Sequence, residues 1–131
     1  GVVFAGMGEP LLRMEQIRET IEQVHEVRHG VPFRVSTNGL FPASVAVALA
    51  DAGISKATVA LATADPGQYT ELMRPEGGDH STVCGFIASL AEAGVEVEAT
   101  AVERPGVDVA AARKLAEALG ASGFRTRTYH P

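Results

Sequence analysis

Gly1-Val2-Val3-Phe4-Ala5-Gly6-Met7-Gly8-Glu9-Pro10 carries an apolar run straight into a turn of bare backbone, and this junction reads as the end of a buried β-strand. Gly6 and Gly8 let the main chain adopt positive φ and approach a ligand closely. Glu9 sets a carboxylate at the strand end, and Pro10 stiffens the exit. In parallel α/β folds, ligands bind at this end of the strands. A buried strand as the first residues, with no initiator methionine and no capping element, is what a fragment lacking its N-terminal part would show.

The alternation continues outward from that strand. Short β-rich runs at Val2–Gly6, Phe33–Thr37, Lys56–Ala62, Val95–Val102 and Phe124–Tyr129 are separated by helical periods, giving five repeats of strand then helix. Met14, Ile17, Ile21, Val24 and Val27 recur at steps of three and four, which keeps one face of the first helix apolar against a sheet. Val45, Leu49 and Ala52 repeat the scheme, as do Val83, Phe86, Ile87 and Leu90, and finally Val109, Ala112, Leu115 and Leu119. Gly30, Gly53, Gly94 and Gly120 are expected helix stops, Asp65-Pro66 the start of a short extra helix, and Asp108 the cap of the last one. Five parallel strands cannot close an eight-stranded barrel, so the sheet is open or is continued by strands before Gly1. The abrupt start favours the second.

At 131 residues and 46% hydrophobic content, the chain can bury one core and reads as a single domain over residues 1–131. A formal net charge of −5 disfavours polyanions, so nucleic acid is not an expected direct partner. Arg104, Arg113, Arg125 and Arg127 gather towards the C-terminus, but they interleave with Glu96, Glu98, Glu103 and Glu117, the pattern of a local ion-pair network. Cys84 is the single cysteine, which excludes an internal disulfide or an all-cysteine metal cage built from this chain alone and fits a reducing, cytoplasmic setting. No apolar run approaches the ~20 residues that cross a bilayer, and no membrane partner is expected.

Strand alternation sorts side chains by face, and one face is polar for a buried sheet. Arg34, Ser36 and Asn38 share it. So do Glu96, Glu98 and Thr100 on the fourth strand, and Arg125, Arg127 and Tyr129 on the fifth. The apolar faces are expected to meet helices and the polar faces to look into a concave lumen that takes a ligand. The plainer reading pairs Glu96 or Glu98 with Arg125 or Arg127. Asn38-Gly39 is turn chemistry taken singly, but with Gly6-Met7-Gly8 at the same sheet edge it suggests one site. His25 and His29 lie four residues apart, a spacing that can hold a metal, yet no third ligand accompanies them and the solvated reading is preferred. Cys84 reads as core filler.

These motifs together resemble the radical S-adenosylmethionine (SAM) enzymes. Gly6-Met7-Gly8-Glu9-Pro10 is similar to their Gly-Gly-Glu-Pro-type segment, and the likeness continues through Leu12-Arg13, Ser36-Thr37-Asn38-Gly39-Leu40, Tyr69 with Met73-Arg74-Pro75, and Val107-Asp108 leading to Lys114-Leu115-Ala116. The subgroup most similar in this series is the radical SAM protein associated with TatD-family nucleases. The resemblance implies an α/β fold, a partial (β/α) barrel with helices outside, its first strand-loop-helix unit missing. It implies that Gly6, Met7, Gly8 and Glu9 line the methionine end of SAM, and that Ser36 and Asn38 face its carboxylate or ribose. The intact protein would hold a [4Fe-4S] cluster and generate a 5′-deoxyadenosyl radical that abstracts hydrogen from an unidentified substrate, drawing electrons from a donor. Arg125 or Arg127 would hold a substrate anion.

Two departures bear on this. The family's Cys-x3-Cys-x2-Cys loop precedes the strand that opens this chain, so the chain, the C-terminal part of such a core, carries no cluster ligands and is expected to be inactive alone. On the third strand, Ala60 and Ala62 stand where the subgroup tends to have serine and asparagine. Either the site has decayed, or Thr58 and Thr63 partly compensate. Two other readings stand beside the enzyme: a non-catalytic α/β binding or assembly domain derived from the same fold, and a cofactor-free barrel enzyme with Glu9 as general base. An exposed first strand would also invite dimerisation of the isolated fragment through its edge.

Overall fold

In the computed structural model, the described residues are 2–4, 14–27, 32–75 and 77–128. Gly6, Met7, Gly8, Glu9, Gly30, His29 and Tyr129, all named above, lie outside them, as does the side chain of His25.

Five parallel strands form one sheet in sequential order: β1 (Val2–Phe4), β2 (Phe33–Thr37), β3 (Lys56–Ala62), β4 (Glu96–Glu103) and β5 (Gly123–Thr128). Four helical connections join them: α1 (Met14–Val27), α2 (Ala43–Ala52), the pair α3 (Pro66–Met73) and α4 (His80–Glu92), and α5 (Val109–Ala118). The expected count of five strand-then-helix repeats is corrected to four and a final strand, because among the described residues no helix follows β5. Sequential order without a switch point places crossovers of one hand on one face of the sheet, which is barrel-like winding.

Burial shows which face that is. Phe33, Val35, Ala57, Val59, Leu61, Val97 and Ala99 are buried against Ile17, Ile21, Ala46, Leu49, Val83, Phe86, Ile87, Leu90 and Ala116 of the helices. Each fully buried Val, Leu, Ile or Phe stabilises the fold by about 1.5–3 kcal/mol. The opposite face, with Arg34 and Glu96 exposed and Ser36, Ala60 and Glu98 half-buried, lines the concave side.

The caps fall where the sequence places them. Asp65 accepts from the Gly67 and Gln68 amides at the start of α3, with Pro66 in the first turn, and Asp108 accepts from the Ala111 amide at α5. Gly53 ends α2 at φ +108°, a conformation that a side chain resists. Gly94 and Gly120, at +91° and +102°, follow α4 and α5. A further cap, Asp79, forms a reciprocal capping box with Thr82 at α4.

Candidate functional site at the C-terminal strand ends

The end of β3 is irregular. Ala60 pairs with Thr100 and Ala62 with Ala101, so β3 advances two residues while β4 advances one, a bulge that re-aims the strand end. At Ala62 the chain turns at φ +69°, and the Thr63 amide donates to the Leu61 carbonyl across it at 2.8 Å. That is a γ-turn with a non-glycine residue in the left-handed region, a strained conformation that persists only where neighbours fix it.

Thr63 supplies the fixing contacts. Its hydroxyl donates to Gln68 Oε1 and accepts from the Asp65 amide at 3.2 Å, while Gln68 Nε2 donates to the Gly106 carbonyl at 2.8 Å. His80 Nε2 donates to the Thr63 carbonyl at 2.7 Å. A carbonyl only accepts, so Nε2 carries a proton, and Nδ1 faces Cys84 Sγ at 3.8 Å. Burial, and secondarily the charge of Asp79, pushes the Cys84 thiol up. It packs against the core and is not activated, as the sequence reading has it.

Beside this turn lies a cavity of about 260 Å³, lined by Ala60, Ala62, Met73, Thr100, Ala101, Val102, Arg127 and Thr128. Arg127 lines this cavity. Arg125 does not. Its Nε lies 3.0 Å from Glu98 Oε1, the ion pair named as the plainer reading. Register explains the split. On this face Arg125 sits opposite Thr100 and diagonal to Glu98, whereas Arg127 sits opposite Val102 and diagonal to Thr100, which carries no charge. Of the other arginines, Arg113 stacks on Phe124 with Cζ 4.9 Å from the ring centroid.

Ser36 and Asn38 lie at the end of β2 on the concave side, apart from that cavity. Asn38 Oδ1 accepts from the Leu40 amide at 3.1 Å and Thr37 Oγ1 from the Gly39 amide at 3.0 Å, so the turn is held by its own side chains. Gly39 is required there. Its φ is +74°, and a Cβ would meet Val59 Cγ1 at 2.7 Å. Thr58 stands level with Ser36 and Glu98 on the same face, below the cavity. The Thr63 hydroxyl is engaged by Gln68 and Asp65.

The profile of the Radical SAM superfamily matches residues 1–119. The chain belongs to the radical SAM superfamily. This radical SAM chain is also similar to a GTP 3′,8-cyclase of Limosilactobacillus fermentum, at 35% identity over 82 residues, covering 63% of the chain and 24% of the cyclase. Its fold is shared by the crystal structure of methylornithine synthase PylB, with TM-score 0.63, 19% identity, and coverage of 92% of this chain and 36% of that one. HydG, a maturase of the [FeFe]-hydrogenase, matches with TM-score 0.64 and 13% identity over 90% of this chain and 29% of its own. The chain thus spans about a quarter of the cyclase and about a third of each structure. With these neighbours the sheet is a partial barrel of the radical SAM type.

The two groups that the superfamily uses fit this chain differently. Small side chains at Ala60 and Ala62 leave room at the β3 end for part of a nucleoside, with the Thr100 and Thr128 hydroxyls nearby. The thiolates of a [4Fe-4S] cluster are another matter. Cys84 is the one cysteine in the sequence, it is turned to the core, and among the described residues no cluster of three metal-ligating side chains exists.

Proposed function

We propose that this chain is the C-terminal part of a radical SAM core, holding SAM along its strand ends in a protein whose cluster ligands lie outside these 131 residues. The observation that carries this is the cavity at the C-terminal ends of β3, β4 and β5, in a chain matched over residues 1–119 by the superfamily profile. Gly6, Met7, Gly8 and Glu9 would hold the methionine end, and Ser36 and Asn38 its carboxylate or ribose. Ala60, Ala62 and Val102 would pack against the nucleoside. In the whole protein, a [4Fe-4S] cluster held outside this chain, together with SAM, would supply reductive cleavage of the sulfonium and hydrogen abstraction from substrate. The chain's own residues bind, orient and exclude water.

The whole protein would act in the cytoplasm on a small molecule, with an electron donor as partner. The isolated chain would be inactive and would pair with a second copy through the β1 edge. Anaerobic reconstitution of the full-length protein with iron and sulfide tests the proposal. Visible cluster absorbance, and SAM binding weakened about tenfold by Asn38→Ala, support it; a full-length protein that takes up no cluster overturns the enzyme.

One observation favours the second reading, a non-catalytic binding or assembly domain. The cavity wall at β3 offers only Ala60 and Ala62, and the nearby Thr63 hydroxyl is engaged elsewhere. Cluster-free full-length protein that still binds SAM would select this reading.

A further inference from the structure

We infer that Arg127 is the recognition group for an anionic substrate, one that presents a phosphate or carboxylate at the β5 side of the cavity, beside the space at Ala60 and Ala62 assigned to the nucleoside. The inference rests on the proposed SAM-binding role and names the substrate class.

Among the described residues the cavity wall is otherwise neutral: Ala60, Ala62, Met73, Ala101 and Val102 are apolar, and Thr100 and Thr128 supply hydroxyls. Arg127 is its cation. Among the described residues no carboxylate lies within ion-pairing reach of the guanidinium, although the chain carries 16 acidic residues against 11 basic ones. The nearest acid along the neighbouring strand, Glu103, is one residue beyond Val102 and so belongs to the other face of β4, where its Oε2 accepts from Thr126 Oγ1 at 3.4 Å. Arg125, two residues away on the same face, is neutralised by Glu98. The sheet therefore pairs one arginine and leaves the other, nearer the strand ends, facing the cavity.

A guanidinium presents five donors in a planar fork that suits carboxylate or phosphate. SAM's own carboxylate is the other source of an anion. Its methionine end is assigned to Gly6, Met7, Gly8 and Glu9, which follow β1 in sequence, and Ser36 and Asn38, assigned to its carboxylate or ribose, lie on or just past β2, three strand spacings from β5, about 14 Å along the sheet. The anion at Arg127 is thus assigned to a second molecule.

The test uses full-length protein, reconstituted anaerobically with iron and sulfide, and measures binding of pyrophosphate, succinate and SAM by titration calorimetry. Wild type binds pyrophosphate or succinate; Arg127→Gln weakens that binding about fivefold or more, and Arg127→Lys recovers part of it. If neither anion binds wild type, or Arg127→Gln binds them as well as wild type does, the inference is overturned while the SAM reading stands. Should Arg127→Gln instead weaken SAM and leave both anions unaffected, the anion is SAM's carboxylate and the inference is equally overturned. Loss of SAM binding in wild type defeats the proposed function alone, because the anion measurements are read without SAM.

Discussion

His80 Nε2 donates to the Thr63 carbonyl at 2.7 Å, and this bond ties the first turn of α4 to the strained end of β3. His80 and Thr63 are both buried, at 5% and 1% exposure, so water cannot replace a lost partner. His80→Ala is expected to cost about 2–3 kcal/mol in urea denaturation, from an unsatisfied carbonyl and a new void. His80→Gln, which retains a donor, recovers part of the loss. If the two variants are equally destabilised, packing and not the bond holds the turn.

Tyr69 is fully buried, and among the described residues its hydroxyl has no hydrogen-bond partner. Tyr69→Phe is expected to be neutral or stabilising by about 1–2 kcal/mol at pH 7, since it removes an unpaired buried polar group. Burial first, then the charges of Asp79 and Cys84, pushes the phenol from 10.0 up to about 12. An unfolded tyrosine ionises near 10, so between pH 10 and 12 the unfolded state holds fewer protons here than the folded one. Stability from this group falls as pH rises through that window. Urea midpoints at pH 8 and 10.5 check it: the advantage of Tyr69→Phe widens at the higher pH.

The Arg125–Glu98 pair is expected to be weak. Arg125 is 62% exposed and Glu98 23%, so solvent screens most of the attraction. A double-mutant cycle of Arg125→Gln and Glu98→Gln should return a coupling of about 0.2–1 kcal/mol, shrinking in 1 M salt. A coupling above about 2 kcal/mol would contradict the exposed geometry.

Ala62 lines the cavity at φ +69°, where asparagine is tolerated and β-branched residues are not. Ala62→Asn should keep wild-type stability within about 1 kcal/mol and, by restoring a polar group to the cavity wall, tighten SAM binding severalfold. Ala62→Val should lose about 2 kcal/mol or more. Calorimetry and urea titration of both variants check this. An Asn variant that is as unstable as the Val variant would contradict the tolerance of asparagine at this turn.

Much of this architecture is legible in the sequence because periodicity and caps are local signals. Phe33–Thr37 and Lys56–Ala62 appear as expected, and β4 and β5 each begin one residue from the expected start, where Val95 continues the apolar alternation and Gly123 adds a ladder position. The bulge and turn at Ala62 are not legible, since alanine carries no preference for positive φ and only Thr63, Gln68 and His80 together impose it. Nor does alternation separate Arg125 from Arg127, which lie two apart on one face. Their different fates depend on the register of β5 against Glu98 and Val102. Thr100 is on the polar face the alternation marks, but Met73, from the end of α3, and Val102, opposite Arg127, join the cavity wall in a way no short motif encodes. The glycine-rich turn that decides the family reading lies outside the described residues.

Equilibrium dialysis of the full-length, reconstituted protein against SAM, with wild type beside Ala60→Leu, tests most directly that the β3–β5 cavity takes the nucleoside. Ala60 is half-buried on the cavity wall, so leucine fills the space without entering the helix-facing core. Saturable binding to wild type that falls at least tenfold in Ala60→Leu, at an unchanged urea midpoint, is the predicted result. Equal binding by the two proteins would place the ligand elsewhere and contradict the assignment.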